Sequence, residues 1–297
     1  WSWQIGACSQ WHPNKNILYY NKNLKNKFVT VQFDTEKKIK KKFNFSIYNI
    51  SPDGEKFALA DFLNIGKYRK GYGFTSKLNK RNIKKDKLQI YCARTKRKKT
   101  LYTFQKETSK SVIGSYINHL TFSPDNTKMA YFRTILKNNN QRQIFFYYYC
   151  FKKKKNFIIN ISKTNLISHY CWKNKNEIMF TMKLNNDNYS YKIFKINSKK
   201  MKSLSSDLNK DGHPMFSPKS RDLFVSDTYP NLLGFQKLFI YSIVKKKIIW
   251  KKYIYSPYKY RGIVRCDLHP RWSHDGKKIF IDYVNNSNRN IGIFQIN

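Results

Sequence analysis

Six histidines occur in the 297 residues, and four of them stand in one register. His119, His169, His213 and His269 each lie three residues before an aromatic residue, namely Phe122, Trp172, Phe216 and Trp272. The stretches around those aromatics resemble one another: "FSPDNTKMAYFR" (122–133), "FSPKSRDLFVSD" (216–227) and "WSHDGKKIFIDY" (272–283). Random placement would put only about 0.1 histidine into the equivalent slots of such a repeat. Imidazole is the commonest metal ligand, and three or four of them brought together suit a divalent transition metal, Mn or Zn among others. The same ring can contact a substrate without a metal, or hydrogen-bond the neighbouring repeat, and the sequence leaves all three roles open.

The register acquires meaning only through the elements that carry it. Further copies are "ISPDGEKFALAD" (50–61), "WHPNKNILYYN" (11–21) and "WKNKNEIMFTM" (172–182). The six anchors are therefore Trp11, Ile50, Phe122, Trp172, Phe216 and Trp272, at spacings close to those of propeller blades with one long insertion. Asp-Gly between two apolar runs is a hairpin signal. Each hairpin is followed by another strand-like run, such as "FVTVQFD" (28–34) or "LFIYSI" (238–243), and often by a fourth, while helical periodicity is nearly absent. The expectation is an all-β, six-bladed β-propeller of four-stranded antiparallel blades, filling 1–297 as one domain. The blades run roughly over 1–44, 45–115, 116–165, 166–208, 209–263 and 264–297. The last run, "IGIFQIN", is the third strand of its blade, so residues before Gln10, or chain upstream of them, are expected to supply the fourth.

In such a fold the strand before each anchor is innermost, and its first residues open one mouth of the central channel. Cys8 and Ile47 take the histidine position in the first two repeats. The second strand of each hairpin returns to the same mouth and brings Asp61, Arg133, Asp227 and Asp282 there. Asp227 opens a loop with Tyr229 and Pro230. Asp211 and Asp267 stand two residues before His213 and His269, placed to orient a histidine or to cap a loop. The insertion 62–87 holds Arg69, Gly71, Tyr72 and Gly73, and the last between-blade loop holds Tyr260, Arg261 and Arg265. Tyr and Arg in mobile loops over a polar pocket suit sugar stacking and carboxylate pairing. The expected substrate-binding set is Arg69, Tyr72, Arg133, Asp227, Tyr229, Arg261 and Arg265. His12 and His274 fall in turns of the opposite face and read as solvated.

The formal net charge is +42. Codon bias toward A and T accounts for part of it, yet Glu, also encoded by A-rich codons, occurs only four times. A cationic surface attracts nucleic acid, acidic polysaccharide or anionic lipid. Lysine runs at 37–42, 96–99 and 152–155 also suit solvated strand edges guarded against aggregation. No apolar run is long enough for a transmembrane helix. Five cysteines without metal-type spacing argue against a zinc ribbon or a disulfide framework, and a reducing, cytoplasmic setting is the expectation.

The aromatic-x-Ser-Pro-Asp-Gly hairpin resembles the TolB-type propeller repeat along essentially the whole chain. The blocks "DGHPMFSP", "SDTYP" and "RCDLHPRWSHDGKKIFID" further resemble propellers of the oligogalacturonate lyase-like family, which are associated with polysaccharide metabolism. That resemblance implies a divalent metal held largely through histidines and a polar or acidic saccharide as ligand. The family usually has seven blades, against six repeats here. An enzyme of this kind would carry out β-elimination from a uronic acid, with Arg pairing the carboxylate and Arg265, His213 or Tyr229 as the base. The rival readings are a non-catalytic scaffold or protein-interaction propeller, and polyanion or nucleic-acid binding through the cationic surface. The G-x-S-x-G elbow that peptidases with related propellers require is absent from the sequence. A monomer is expected.

Overall fold

The serine of the repeat closes its own turn. In a computed structural model of the protein, the Ser51 amide donates to the Lys56 carbonyl (2.8 Å), and Ser51 Oγ accepts from the Lys56 amide (2.8 Å). The Asp53 carboxylate accepts from the Glu55 amide (2.9 Å). Ser123 with Asp125, and Ser273 with Asp275, repeat the pattern. The chain must then pass through the left-handed region, where Gly54 (φ 75°), Asn126 (φ 60°) and Gly276 (φ 69°) stand. Gly54 has a second reason. A Cβ there would lie 2.3 Å from the His12 ring.

The structure describes residues 3–24, 27–74, 85–105, 107–138, 141–160, 166–183, 188–285 and 288–296. Consecutive antiparallel strands form six sheets, and the fold is a six-bladed β-propeller. The first sheet is β1 (Gln10–Trp11), β2 (Ile17–Leu24), β3 (Lys27–Asp34) and β4 (Lys40–Phe43). The second is β5 (Ile47–Ile50), β6 (Lys56–Leu59), β7 (Lys87–Cys92) and β8 (Arg97–Thr103), with the helix α1 (Phe62–Tyr68) between β6 and β7. The third is β9 (Val112–Phe122), β10 (Lys128–Lys137), β11 (Arg142–Cys150) and β12 (Lys155–Ile159). The fourth is β13 (Leu166–Asn174), β14 (Glu177–Lys183), β15 (Tyr189–Lys195) and β16 (Lys200–Ser203). The fifth is β17 (Met215–Phe216), β18 (Leu223–Asp227), β19 (Phe235–Ser242) and β20 (Lys247–Tyr255). The sixth has three strands among the described residues: β21 (Arg271–Trp272), β22 (Lys278–Asn285) and β23 (Asn288–Gln295). As for a fourth strand from the start of the chain, residues 1–2 lie outside the described residues and residues 3–7 form turns.

The chain divides into two compact units, Trp1–Asn160 and Ile161–Asn297, with three sheets each. Within a unit, successive sheets stack face to face. Met179, Tyr191 and Ile193 of the fourth sheet pack on Phe216, Phe224 and Tyr241 of the fifth. Val225, Leu238 and Ile240 of the fifth pack on Trp272, Ile279 and Ile281 of the sixth. Central strands covered on both faces read as apolar runs, as in β14 and β18, and each large side chain buried this way contributes about 1.5–3 kcal/mol. The anchors Ile50, Phe122, Trp172, Phe216 and Trp272 are buried; Trp11 alone among the six is exposed.

Two features depart from the sequence reading. The insertion is not a mobile loop over its first part: Asp61 caps α1 by accepting from the Asn64 amide, and Phe74 donates back to the Phe62 carbonyl. Gly66 and Gly73 make this possible, since a Cβ on either would meet backbone atoms within 2.0–2.3 Å. Residues 75–84 of the insertion lie outside the described residues. His12 is buried rather than solvated, accepting from the Asn14 amide at Nδ1, and burial lowers its pKa. His274 is exposed.

Candidate functional site

The position three residues before each anchor is one where the inner strand loses regular pairing. β13 slips register between Ile167 and His169 against β14, and β5 slips between Ile47 and Asn49 against β6. Cys8 (φ 49°), His119 (φ 52°) and His269 (φ 42°) adopt the left-handed conformation outright. His213 and His269 precede the two-residue strands β17 and β21. Bulges and left-handed residues re-aim a side chain out of the strand's alternation. That is why the register carries side chains off the sheet faces.

In the unit Ile161–Asn297 this brings three imidazoles together. The rings of His169 and His213 are 4.2 Å apart between centroids, and those of His213 and His269 are 4.4 Å apart. A carboxylate meets each ring at Nδ1. Asp211 lies 3.2 Å from His169, Asp227 2.9 Å from His213, and Asp282 3.7 Å from His269. The carboxylates are themselves anchored. Asp211 accepts from Ser168 Oγ (2.6 Å) and the Gly212 amide (2.9 Å). Asp227, only 1% exposed, accepts the amides of His213 (2.7 Å) and His269 (3.2 Å), so one carboxylate fastens two blades. Asp282 is held by Arg271 (3.0 Å) and Arg289 (3.3 Å).

Arg265 and Tyr229 flank the cluster. The Arg265 guanidinium clamps the buried Asp267 through both Nε and Nη2 and lies 4.5 Å from the centre of the Tyr229 ring. Tyr229 meets the His213 ring edge-on at 5.6 Å. One ligand-type atom each from His213, Asp267 and His269 lie within 4.8 Å of one another.

The electrostatics single out the central ring. Burial, then the charge on His213, holds His169 and His269 below the ordinary imidazole range. Burial opposes a charge on His213 too, but the Asp227 carboxylate outweighs it, so His213 keeps its proton above that range. Burial would raise Asp211, Asp267 and Asp282; the hydrogen bonds from His169 to Asp211 and from Arg265 to Asp267, and the nearness of His269 with the hydrogen bonds from Arg271 at Asp282, reverse this, and all three lie below the ordinary carboxylate value. The four carboxylates Asp211, Asp227, Asp267 and Asp282 face three guanidiniums, Arg265, Arg271 and Arg289. The carboxylates outnumber the guanidiniums by one, and the proton that His213 keeps makes up the difference.

The other residues singled out in the sequence have partners of their own. His119 packs among aromatic rings of the unit Trp1–Asn160, with Phe132 at 5.5 Å and the Tyr48 hydroxyl 3.5 Å from its Nδ1. Arg133 is buried, paired with Asp86 (3.1 Å) and Glu107 (2.9 Å) under the Phe104 ring. It is a buried residue of the strand β10. Arg69 stacks on Tyr72 at 3.6 Å beside α1. Arg261 lies 5.2 Å from the Tyr258 ring. Asp267 holds Arg265 and not its near neighbour His269, while Asp211 serves the histidine of the preceding blade. The repeated Asp-x-His spacing was visible in the sequence; which histidine each aspartate serves was not. Arg271 and Arg289 carried no signal at all.

The fold and the cluster define a six-bladed β-propeller with a histidine–carboxylate centre in its unit Ile161–Asn297. No family model matches the chain, and no curated protein matches it. Its likenesses are to solved propellers. An oligogalacturonate lyase from Vibrio parahaemolyticus superposes with a TM-score of 0.64 at 9% identity, over 96% of this chain and 76% of that one. An oligogalacturonate lyase in complex with manganese gives 0.61 at 8% identity, over 100% and 89%. TolB from Acinetobacter baumannii gives 0.52 at 15% identity, over 94% and 65%. Peptidases match as well. At these identities the likeness is one of fold.

Proposed function

We propose that the protein binds a divalent transition metal through His169, His213 and His269, and takes up a polar or acidic saccharide beside it. The observation that carries this reading is the His213 ring in contact with those of His169 and His269, with an anchored carboxylate beside each Nδ1. A carboxylate there sets the tautomer and turns Nε2 toward a ligand on the other side of the ring, the usual outer shell of a metal-bound histidine. The donor set fits the group: once His213 gives up its proton, three neutral imidazoles stand among carboxylates that outnumber the guanidiniums by one, which suits a divalent ion. Asp267 is the weaker donor because Arg265 already holds both of its oxygens. The manganese in one structural neighbour supports the choice of metal.

Arg265 and Tyr229 are the groups placed to receive the sugar, Arg265 against a carboxylate and Tyr229 against a ring face. Arg69, Tyr72 and Arg261 remain candidates for the saccharide's outer contacts. A bound divalent ion would polarise a uronate carboxylate and make the adjacent C–H more acidic, the chemistry of a lyase. Of the three candidate bases, Arg265 stays charged and engaged with Asp267, and His213 is a ligand in this reading. Tyr229, as its phenolate, is thus the group favoured to accept the proton, while the glycosidic C–O bond breaks and the leaving sugar oxygen takes a proton from water.

The test is a calorimetric titration of the metal-free protein with Mn and Zn salts. One ion per chain is expected, with binding abolished in His213→Ala/His269→Ala while the circular dichroism spectrum is unchanged. Retention of the ion by that variant, or no binding by the parent, would sink the proposal. Ultraviolet absorbance of an unsaturated uronate product, sought with oligogalacturonate, then separates an enzyme from a binding protein.

A further inference from the structure

The loop that carries Tyr229 continues into a short hairpin whose tip is apolar. Asn231 and Phe235 are joined by a backbone hydrogen bond, the Asn231 side chain also accepts from the Phe235 amide (2.9 Å), and Gly234 turns in the left-handed region (φ 86°). This closed turn presents Leu232 at 100% exposure and Leu233 at 75%. Phe235 pairs with Tyr255 across β19 and β20, so the loop after β20 lies at the same end of the hairpin. That second loop exposes Tyr258 (79%) and Ile263 (53%). Two adjacent loops thus offer aliphatic and aromatic side chains to solvent, whereas isolated exposed apolar residues are the norm.

The charge along this stretch of chain has one sign. Between Asp227 and Asp267 the sequence contains no acidic residue, while Lys237, Lys251, Lys252, Lys259 and Arg261 fall within it. Aliphatic tips flanked by tyrosines and lysines match the layered polarity of a bilayer interface, where apolar side chains enter below the headgroups and lysines meet anionic lipid. A protein partner of matching shape would need an apolar pocket with an acidic rim; a bilayer needs neither. No helix of the described residues is long and apolar enough to cross a membrane.

We infer that the Leu232–Leu233 turn and the neighbouring Tyr258 loop dock the protein on an anionic lipid surface. The inference rests on neither the metal nor the saccharide. It is tested by co-sedimentation with vesicles of phosphatidylcholine containing a quarter phosphatidylserine, against vesicles of phosphatidylcholine alone. The parent should bind the anionic vesicles, and Leu232→Ser/Leu233→Ser should bind them roughly tenfold or more weakly at the same salt concentration. Lys251→Gln/Lys252→Gln should weaken binding less, by an amount that shrinks as salt rises. Equal binding by parent and leucine variant would overturn the inference, because charge alone would then account for it. So would no binding by the parent, or a parent dimer in light scattering that becomes monomeric in the leucine variant, which would assign the tip to a second copy.

Discussion

Three residues before the repeat anchor, the unit Trp1–Asn160 carries Cys8, Ile47 and His119, and the unit Ile161–Asn297 carries His169, His213 and His269. The backbone device is shared: a bulge or a left-handed residue marks the position in both. Such residues cost on the order of 1 kcal/mol when they are not glycine. What differs is the company. In the first unit Ile47 belongs to the core, the Cys8 thiol is pushed up to about 12 by burial, and His119 sits among rings. The buried acid of that unit, Asp86, is engaged with Arg133. In the second unit Asp211, Asp227 and Asp282 meet the histidines. The repeat thus decides where a side chain is turned out of the sheet, and the placement of carboxylates decides whether that position can do chemistry.

The largest effect should come from Asp227→Ala. Removing this carboxylate strands the His213 ring and the amides of His213 and His269, at a cost of roughly 3–5 kcal/mol in chemical denaturation. Asp61→Ala, the exposed helix cap of the other unit, should cost about 1 kcal/mol. Equal losses would remove the contrast. Arg133→Met should also cost roughly 3–5 kcal/mol by leaving Asp86 buried and unpaired, without altering metal affinity. If metal affinity falls with it, Arg133 belongs to the site after all.

Next in size are two effects on the metal. Asp211→Asn, which keeps the shape but loses the charge on His169, should weaken metal binding roughly 10–100-fold. His119→Ala should leave it within about twofold; a comparable loss would mean that the two units share one centre. Affinity should also fall with pH. The ion competes with the proton that Asp227 retains on His213, so below the raised pKa of His213 each pH unit should cost up to about tenfold.

Stability of the metal-free protein follows the same protons. The raised pKa of His213 contributes stability that is complete below the unfolded value of about 6.5 and is lost as pH rises through the folded value. The lowered pKa values of His169 and His269 work the other way, their contribution being present above about pH 6.5 and lost as pH falls. The three histidines therefore favour a stability maximum near pH 6.5, and His213→Gln should flatten its alkaline side in thermal melts.

The smallest effect concerns a feature common to both units. Lys38, Lys96, Lys154, Lys199 and Lys246 all occupy the left-handed residue of the turn into the outermost strand. Glycine fits that conformation without strain, so Lys38→Gly should stabilise by roughly 0.5–1 kcal/mol and leave metal binding untouched. Asparagine would fit better than lysine and shares its codon bias, which makes lysine at all five turns more than compositional drift.

Much of this was written in local sequence. Ser-x-Asp-Gly hairpins are closed by side chains two to five residues away, so the turns and the repeat can be read directly. The histidine register follows from counting back from the anchors. The insertion hid α1, because its buried face is set by Phe74 folding back across two glycines rather than by a periodic pattern. His12 looked like a turn residue and is buried because Gly54 of the next repeat leaves room for its ring.

The chemistry of the cluster was decided by contacts between repeats. Asp211 stands two residues from His213 yet serves His169, and Asp267 stands two residues from His269 yet holds Arg265. Arg133 shares its sequence position with Asp227 and turns inward to Asp86. A repeat period places residues at equivalent points of successive blades, which is a local and additive property. The partner of a charged side chain depends on distances of a few ångströms between blades and on which burial cost must be offset, and only the folded chain brings those distances into being.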